Sequence, residues 1–160
     1  MRVGIGHDTH RLVEGRPLIL AGLRIESDHG LLGHSDADVV LHAVADALLG
    51  AAAMGDIGEH FPDTDPMWQG ADSGRLLTAV VDKLTLAGWR PVNLDVTVHA
   101  QRPKLSAHKP AMRANLAALL DLPLDAVSVK AKTGEQVGPI GRGEAMACDA
   151  AVLLDRVGGD

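Results

Sequence analysis

The chain has 160 residues, the size of one ordinary domain, and with 46% hydrophobic residues it can build a core over residues 1–160 without disulfide or metal staples. A formal net charge of −6 argues against nucleic acid as the main partner, because binding a phosphate backbone needs a basic field. Cys148 is the single cysteine, so no intramolecular disulfide forms, and no stretch approaches the roughly 20 apolar residues that span a bilayer.

The N-terminal residues Met1–Gly6 carry no apolar run of signal-peptide length. A cytoplasmic protein is expected, either bacterial or a plastid form after processing. Only 2% of the residues are aromatic, so the core is expected to consist of Ala, Leu, Val and Ile. Such side chains bury little area each, and a chain built from them gains by burying more surface in an oligomer.

In chain order, Arg2–Asp8 reads as a short strand running into polar residues. Pro17–Leu20 and Leu23–Ile25 flank Ala21-Gly22, the pattern of a hairpin. Ser35–Ala53 is the clearest helix, with a capping box at Ser35 and Asp38 and apolar residues at Val40, Val44, Ala47 and Leu48. Gly55–Gly70 is a loop rich in Gly, Pro and Asp. Ser73–Ala87 is a second helix closed by Gly88.

Leu94–Ala100 alternates as a strand does, and Gln101–Lys104 leaves it through Pro103. Pro110–Leu120 is a third helix, with proline where its missing N–H matters least. Val127–Ala131 is a strand, Thr133–Gly143 is a glycine-rich loop, and Ala145–Leu154 is a closing strand that buries Cys148 as an inert thiol. Some strands lie too close in sequence for helical crossovers. The expected class is therefore α+β, a mixed β-sheet with helices packed on one face.

Four groups of residues can carry chemistry. In Asp8-Thr9-His10, residues two apart on a strand share a face, so a carboxylate and an imidazole point the same way. His42 lies about a turn into the first helix, and with Asp8 and His10 it would complete three O/N ligands with an open fourth position, the pattern of catalytic zinc. Asp38 or Asp46, four residues to either side, could accept its second ring N–H. Read alone, the motif is weak: Asp8 could cap a turn, and both histidines could be structural.

His34 and Ser35 stand where a helix start offers free N–H groups to an anion, although Ser35 also suits a plain N-cap. Asp56, Asp63 and Asp65 lie in a Gly/Pro-framed loop that could bind hydroxyls or a hard cation, or simply be a solvated turn. Lys132 and Thr133 are phosphate donors, Glu135 is a hard-cation ligand, and Arg142 sits among glycines, without a Walker A pattern. These residues alone permit a metal-dependent phosphohydrolase, with water as the attacking group, and a non-catalytic protein that binds prenyl diphosphates as a sensor is a further reading.

Taken in order, the motifs resemble one family. Ser35–Gly50 is similar to the pattern S-D-x-D-x-x-x-H-[AS]-x-x-D-A-x-x-G of 2-C-methyl-D-erythritol 2,4-cyclodiphosphate synthases. Around it stand G-x-D-x-H at Gly6–His10, G-D-I-G at Gly55–Gly58, F-P-D-T-D at Phe61–Asp65, Gln101-Arg102-Pro103-Lys104, and G-R-G-E at Gly141–Glu144. The resemblance covers nearly the whole chain.

It implies a homotrimer with active sites at subunit interfaces, acting on 4-diphosphocytidyl-2-C-methyl-D-erythritol 2-phosphate. It also implies Zn2+ on Asp8, His10 and His42, and Mg2+ or Mn2+ held by Glu135 across the substrate diphosphate. His34 and Thr133 are implied as transition-state stabilisers, Ser35 on the erythritol phosphate side, and Asp8, Thr9, His10 and His34 among the residues that bind substrate. Asp56, Ile57 and Gly58, with Phe61, Pro62, Asp63, Thr64 and Asp65, are implied around the methylerythritol. Ala100, Gln101, Arg102, Pro103, Lys104, Leu105 and Ser106, with Ala131, Lys132, Thr133, Gly134 and Glu135, are implied around the cytidine diphosphate.

Pro139 and Arg142 complete the implied set. The chain departs from the common pattern where many relatives read Thr-Thr-Thr-Glu and it reads Lys132-Thr133-Gly134-Glu135. It also has Pro139 where many carry a Phe that lines a prenyl-diphosphate cavity on the trimer axis, which shrinks that apolar wall.

Overall fold

A computed structural model of the protein describes residues 1–158. The strands are β1 (Arg2–Glu14), β2 (Leu18–Leu20), β3 (Leu23–Ile25), β4 (His29–Leu31), β5 (Trp89–His99), β6 (Val127–Lys132) and β7 (Ala145–Arg156). The helices are α1 (Val39–Ala52), α2 (Ile57–His60), α3 (Ser73–Leu86), α4 (Lys109–Leu119) and α5 (Gly138–Gly141), with 3-10 turns at Pro66–Trp68 and Leu124–Ala126. Five strands form one sheet in the order β4-β1-β7-β5-β6, and β2 and β3 form the expected hairpin. Only β5 and β6 pair in parallel, so the sheet is mixed. No helix among the described residues is long and apolar enough to cross a membrane.

Alternation along β1 separates two faces. Gly4, Gly6, Asp8, His10 and Leu12 face the helices, whereas Val3, Ile5, His7, Thr9 and Arg11 face outward. The strand runs on to Glu14, past the polar residues that seemed to end it, because β7 pairs with it from Arg2 to Arg11 and β4 from Leu12 to Glu14. The outer face stays open in this chain, with Val3 72% and Ile5 81% exposed.

On the inner face α1 lies directly on β1. A Cβ at Gly4 would stand 2.0 Å from the Ala47 carbonyl oxygen, and one at Gly6 would stand 2.0 Å from that of Ala43. Only glycine facing alanine lets the two backbones approach this closely, which explains a core with so few aromatics. Helix α1 is buried almost all round; His42 and Asp46 are its half-buried polar residues.

Helix α1 begins later than the capping-box reading placed it. Its N-cap is Asp38, whose side chain accepts from the N–H groups of Val40 and Leu41. Ala37 takes a left-handed φ of 59°, which turns Ser35–Ala37 off the helix axis. The loops expected over 55–70 and 133–143 contain α2, α5 and a 3-10 turn, and β4 is an element the sequence did not announce.

Candidate active site and metal centre

Asp8 and His10 on β1 meet His42 on α1. Asp8 Oδ2 lies 2.9 Å from His10 Nε2 and 3.1 Å from His42 Nδ1, and the two nitrogens are 3.2 Å apart. Tetrahedral zinc with bonds near 2.0 Å needs ligand edges of about 3.3 Å, so three ligands are already in place for one ion. These are also the only three His, Cys or acidic residues among the described residues whose donor atoms converge in this way.

Surrounding groups set the ring tautomers. His10 Nδ1 lies 2.8 Å from the Leu32 carbonyl oxygen, which only accepts, so Nδ1 carries a proton and Nε2 is the nitrogen turned to Asp8. Thr9 N–H donates to Asp8 Oδ1 at 2.8 Å and leaves Oδ2 for the cluster. Burial raises the Asp8 carboxyl, but hydrogen bonds from His10 and His42 outweigh it and hold Asp8 well below the usual carboxylate range. Burial likewise lowers the His10 imidazole, and Asp8 more than offsets this, so its net shift is upward. The cluster favours positive charge at its centre and could hold a metal ion there.

Neither Asp38 nor Asp46 touches the second nitrogen of His42. The Asp38 side chain also accepts from Ala21 and Gly22, and full burial pushes its carboxyl up to about 6. Asp46 accepts from Ile57 N–H at 2.8 Å, and its carboxyl is raised by burial. Ser73 Oγ, at 2.9 Å, and Ser35 Oγ, at 3.1 Å, stand beside His42 Nε2 instead. Asp38 takes two of the first free N–H groups of α1, those of Val40 and Leu41, so His34 and Ser35 precede a helix start that is partly occupied from within the chain.

The cluster opens into a cleft of about 480 Å³ lined by His10, Gly33, His34, Ser35, His42, Ile57, Gly58, Phe61, Pro62, Asp63, Trp68 and Leu76. Phe61 and Trp68 meet edge to face with centroids 5.0 Å apart and form an apolar wall. Trp68 and Leu76 were not singled out from the sequence, although a tryptophan in a polar loop was a usable signal. Asp56 caps α2 through Glu59 N–H, and Asp65 caps the 3-10 turn through Met67 N–H, so both shape the loop that carries the wall. Thr64 is exposed and lies outside the cleft lining. The Thr9 side chain is on the opposite face of the sheet, so only its backbone serves the site.

The second group of residues gathers elsewhere. His99 pairs with Lys132, and Ala100 N–H donates to the Lys132 carbonyl at 2.9 Å, so residues 100–106 and 131–135 form one surface. Within it Ala100 and Leu105 are buried, while Arg102, Lys104 and Ser106 are exposed. Thr133 Oγ1 donates to Glu135 Oε1 at 2.6 Å, and a left-handed φ of 48° at Glu135 turns the chain. Gly134 rests on Gly141: a Cβ there would stand 2.4 Å from the Gly141 nitrogen.

Gln101, Arg102 and Arg142 border a separate polar cleft of about 480 Å³, with Pro139 exposed on α5 beside it. Arg142 pairs within the chain, donating twice to Glu144 at 2.8 and 3.0 Å. Asp8 aligns with Cys148, Cys148 with Val98, and Val98 with Ala131. Three strand spacings separate β1 from β6, roughly 14 Å, so one chain does not bring Thr133 and Glu135 to the donor cluster.

Residues 1–155 match the model of the YgbB family. The chain is 61% identical over 157 residues to the 2-C-methyl-D-erythritol 2,4-cyclodiphosphate synthase of Bordetella pertussis, covering 98% of this chain and 97% of that protein. Among solved structures it resembles a bifunctional protein of Campylobacter jejuni at a TM-score of 0.93 and 46% identity, covering 97% of this chain and 42% of that longer one. It also resembles a 2C-methyl-D-erythritol-2,4-cyclodiphosphate synthase in a CDP-bound form, at a TM-score of 0.89 and 42% identity over 96% of this chain and all of the other.

Proposed function

The chain belongs to the YgbB family, that of the 2-C-methyl-D-erythritol 2,4-cyclodiphosphate synthases, and from that premise we propose how its cleft closes the ring. Its activity is that of a lyase of non-mevalonate isoprenoid precursor synthesis. The substrate is 4-diphosphocytidyl-2-C-methyl-D-erythritol 2-phosphate. An oxygen of its 2-phosphate attacks the β-phosphorus, the bond from that phosphorus to the bridging oxygen breaks, and CMP leaves with the bond electrons. No water is consumed, and the attacking phosphate is already ionised, so the protein needs no strong base.

The observation that carries this reading is the triangle of donor atoms on Asp8, His10 and His42, with edges of 2.9 to 3.2 Å, of which His10 and His42 line the cleft. Zinc on these three residues and magnesium or manganese at Glu135 would supply positive charge for the diphosphate oxygens. The rest of the work is positioning. Ser35 and His34 line the cleft beside the donors, where they can donate to phosphate oxygens. Ile57, Phe61 and Trp68 offer an apolar wall to the methylerythritol carbon face and keep water from the phosphorus.

The cytidine and Glu135 side of the site comes from a second copy, whose residues 100–106 and 131–135 complete the cleft. The open outer face of the sheet, with Val3 and Ile5 exposed, supports a cyclic homotrimer as that assembly. Lys132 places a charge there where a Thr hydroxyl is common.

The test is an end-product assay. The protein is incubated with the cytidylyl substrate and Mg2+, with and without a zinc chelator, and CMP and cyclic diphosphate are followed by mass. Equimolar release of both, stopped by the chelator, is expected. CMP without cyclic product would identify a hydrolase, and turnover indifferent to the chelator would remove the metal from the reading.

A further inference from the structure

We propose that Ser73, held by Asp36, is the positioning residue that fixes His42 as a metal ligand and thereby leaves the Ser35 hydroxyl free for the substrate. This rests on the metal-dependent reading above and assigns a part to two side chains that lie outside the donor triangle.

His42 Nε2 faces two hydroxyls, Ser73 Oγ at 2.9 Å and Ser35 Oγ at 3.1 Å. They are not equivalent. Ser73 is buried, 1% exposed, at the start of α3. Its hydroxyl donates to Asp36 Oδ1, and its backbone N–H donates to Asp36 Oδ2 at 3.0 Å. A carboxylate only accepts, so the single hydroxyl proton of Ser73 is committed to Asp36. What Ser73 turns toward His42 is a lone pair.

His42 therefore donates from Nε2, so that in the neutral ring Nδ1 offers its lone pair toward Asp8 and His10, where a metal would bind. The carboxylate behind the hydroxyl polarises it and strengthens the hydrogen bond that orients the ring. Ser35 has the opposite balance. Its oxygen accepts from Ala37 N–H at 3.1 Å, and it lines the cleft. Because His42 Nε2 already bears a proton, the Ser35 proton is not taken there. It is directed into the cleft, where a phosphate oxygen can accept it.

The arrangement also ties the ligand to the cleft wall. Asp36 N–H donates to the Ala71 carbonyl at 3.0 Å, and Gly70 N–H donates to the His34 carbonyl at 2.8 Å. The end of the loop that carries Phe61 and Trp68 is thus stitched to the turn that holds Asp36. Movement of that loop pulls on the group that orients His42.

The experiment compares Ser73→Ala, Asp36→Asn and Ser35→Ala with the wild-type chain. Zinc affinity is measured by competition with a chromophoric chelator, and the His42 ring nitrogens are read by 15N NMR. Ser73→Ala is expected to weaken zinc binding by about 10- to 100-fold, the range found when a ligand histidine loses its outer partner. With only Ser35 beside it, which can donate or accept, His42 should show mixed tautomers in place of Nε2–H alone. Asp36→Asn should shift both readouts in the same direction. Ser35→Ala should hold zinc within about three-fold of wild type while raising KM for the substrate.

Wild-type zinc affinity and a pure Nε2–H tautomer in Ser73→Ala would overturn the proposal alone, as would equal zinc loss in Ser35→Ala. A wild-type chain that takes up no zinc would overturn this proposal and the metal-dependent reading together.

Discussion

Gly6→Ala tests whether the metal centre depends on the closeness of two backbones. The substitution adds one methyl group, two residues before Asp8, on the strand that carries both Asp8 and His10. That Cβ would stand 2.0 Å from the Ala43 carbonyl oxygen and 2.7 Å from Ala47 N, and real contacts do not fall below 3.0 Å. Both neighbours are main-chain atoms of α1, so neither can rotate aside, and the helix must withdraw by about 1 Å. Ala43 adjoins His42, so the two edges from His42, now 3.1 and 3.2 Å, stretch toward about 4 Å, past the roughly 3.3 Å that zinc bonds near 2.0 Å can span.

The expected stability loss lies at the upper end of the overpacking range, about 3 kcal/mol, because the clash is with backbone. Zinc affinity falls with it. The assay pairs a urea melt with chelator competition on the same preparation. Gly15→Ala is the control: nothing lies within 4 Å of its added Cβ, but its φ is +76°. It should lose about 1 kcal/mol through the left-handed backbone and keep its zinc. A Gly6→Ala chain with wild-type stability and zinc content would refute the packing argument. One that is destabilised but binds zinc normally would refute the link from packing to ligand geometry.

Three further outcomes are expected. His42→Ala and a Thr133→Ala/Glu135→Ala double variant should each be impaired alone, yet co-expressed in equal amounts they should recover about a quarter of wild-type activity, the chance that a shared site draws two intact halves in a cyclic assembly; no recovery would show that each chain holds its whole site. The Asp149 carboxyl is lowered chiefly by its 2.7 Å hydrogen bond with His7, against a smaller effect of burial, with His99 adding to it. Its contribution to stability is therefore present above the ordinary carboxyl pKa and is lost as pH falls through the depressed folded value; His7→Ala should move the NMR titration midpoint upward, and an unmoved midpoint would exclude His7 as the cause. Burial pushes the Cys148 thiol up, so iodoacetamide at pH 8 should label it only after unfolding, and rapid native labelling would contradict its place under α1.

Much of the site was legible because it rests on local periodicity. A spacing of two on a strand puts Asp8 and His10 on one face whatever the rest of the fold does, and an apolar helix with one histidine points that histidine at its neighbour. The cap was misread because Ser35 and Asp38 satisfy a capping pattern that the left-handed turn at Ala37 sets aside. The outer partner of His42 could not be read at all. Ser73 lies 31 residues away and reaches the ring only because α3 begins beside the turn at Asp36. Strand β4 was hidden for a related reason: three residues with a central glycine carry no alternation, and their pairing is decided by the far end of β1.

The split of the site follows from the sheet. Strands β1, β5 and β6 run in one direction, since β1 and β5 each pair antiparallel to β7 and β6 pairs parallel to β5. Asp8 and Ala131 therefore stand at the same height, and His10, Gln101 and Thr133 all emerge toward the same end of the sheet. What separates them is lateral, the roughly 14 Å of three strand spacings, and no rotamer closes that distance. Within one chain the donor cluster and the surface of residues 100–106 and 131–135 therefore stay apart, which is why we propose that a second copy completes the site. In the proposed trimer, rotation about an axis parallel to these strands would keep every copy at the same height, so a neighbour's β6 edge could meet the cleft without a change of level. In the cyclic homotrimer that we propose, burying the exposed Val3 and Ile5 would be the same event as completing the site.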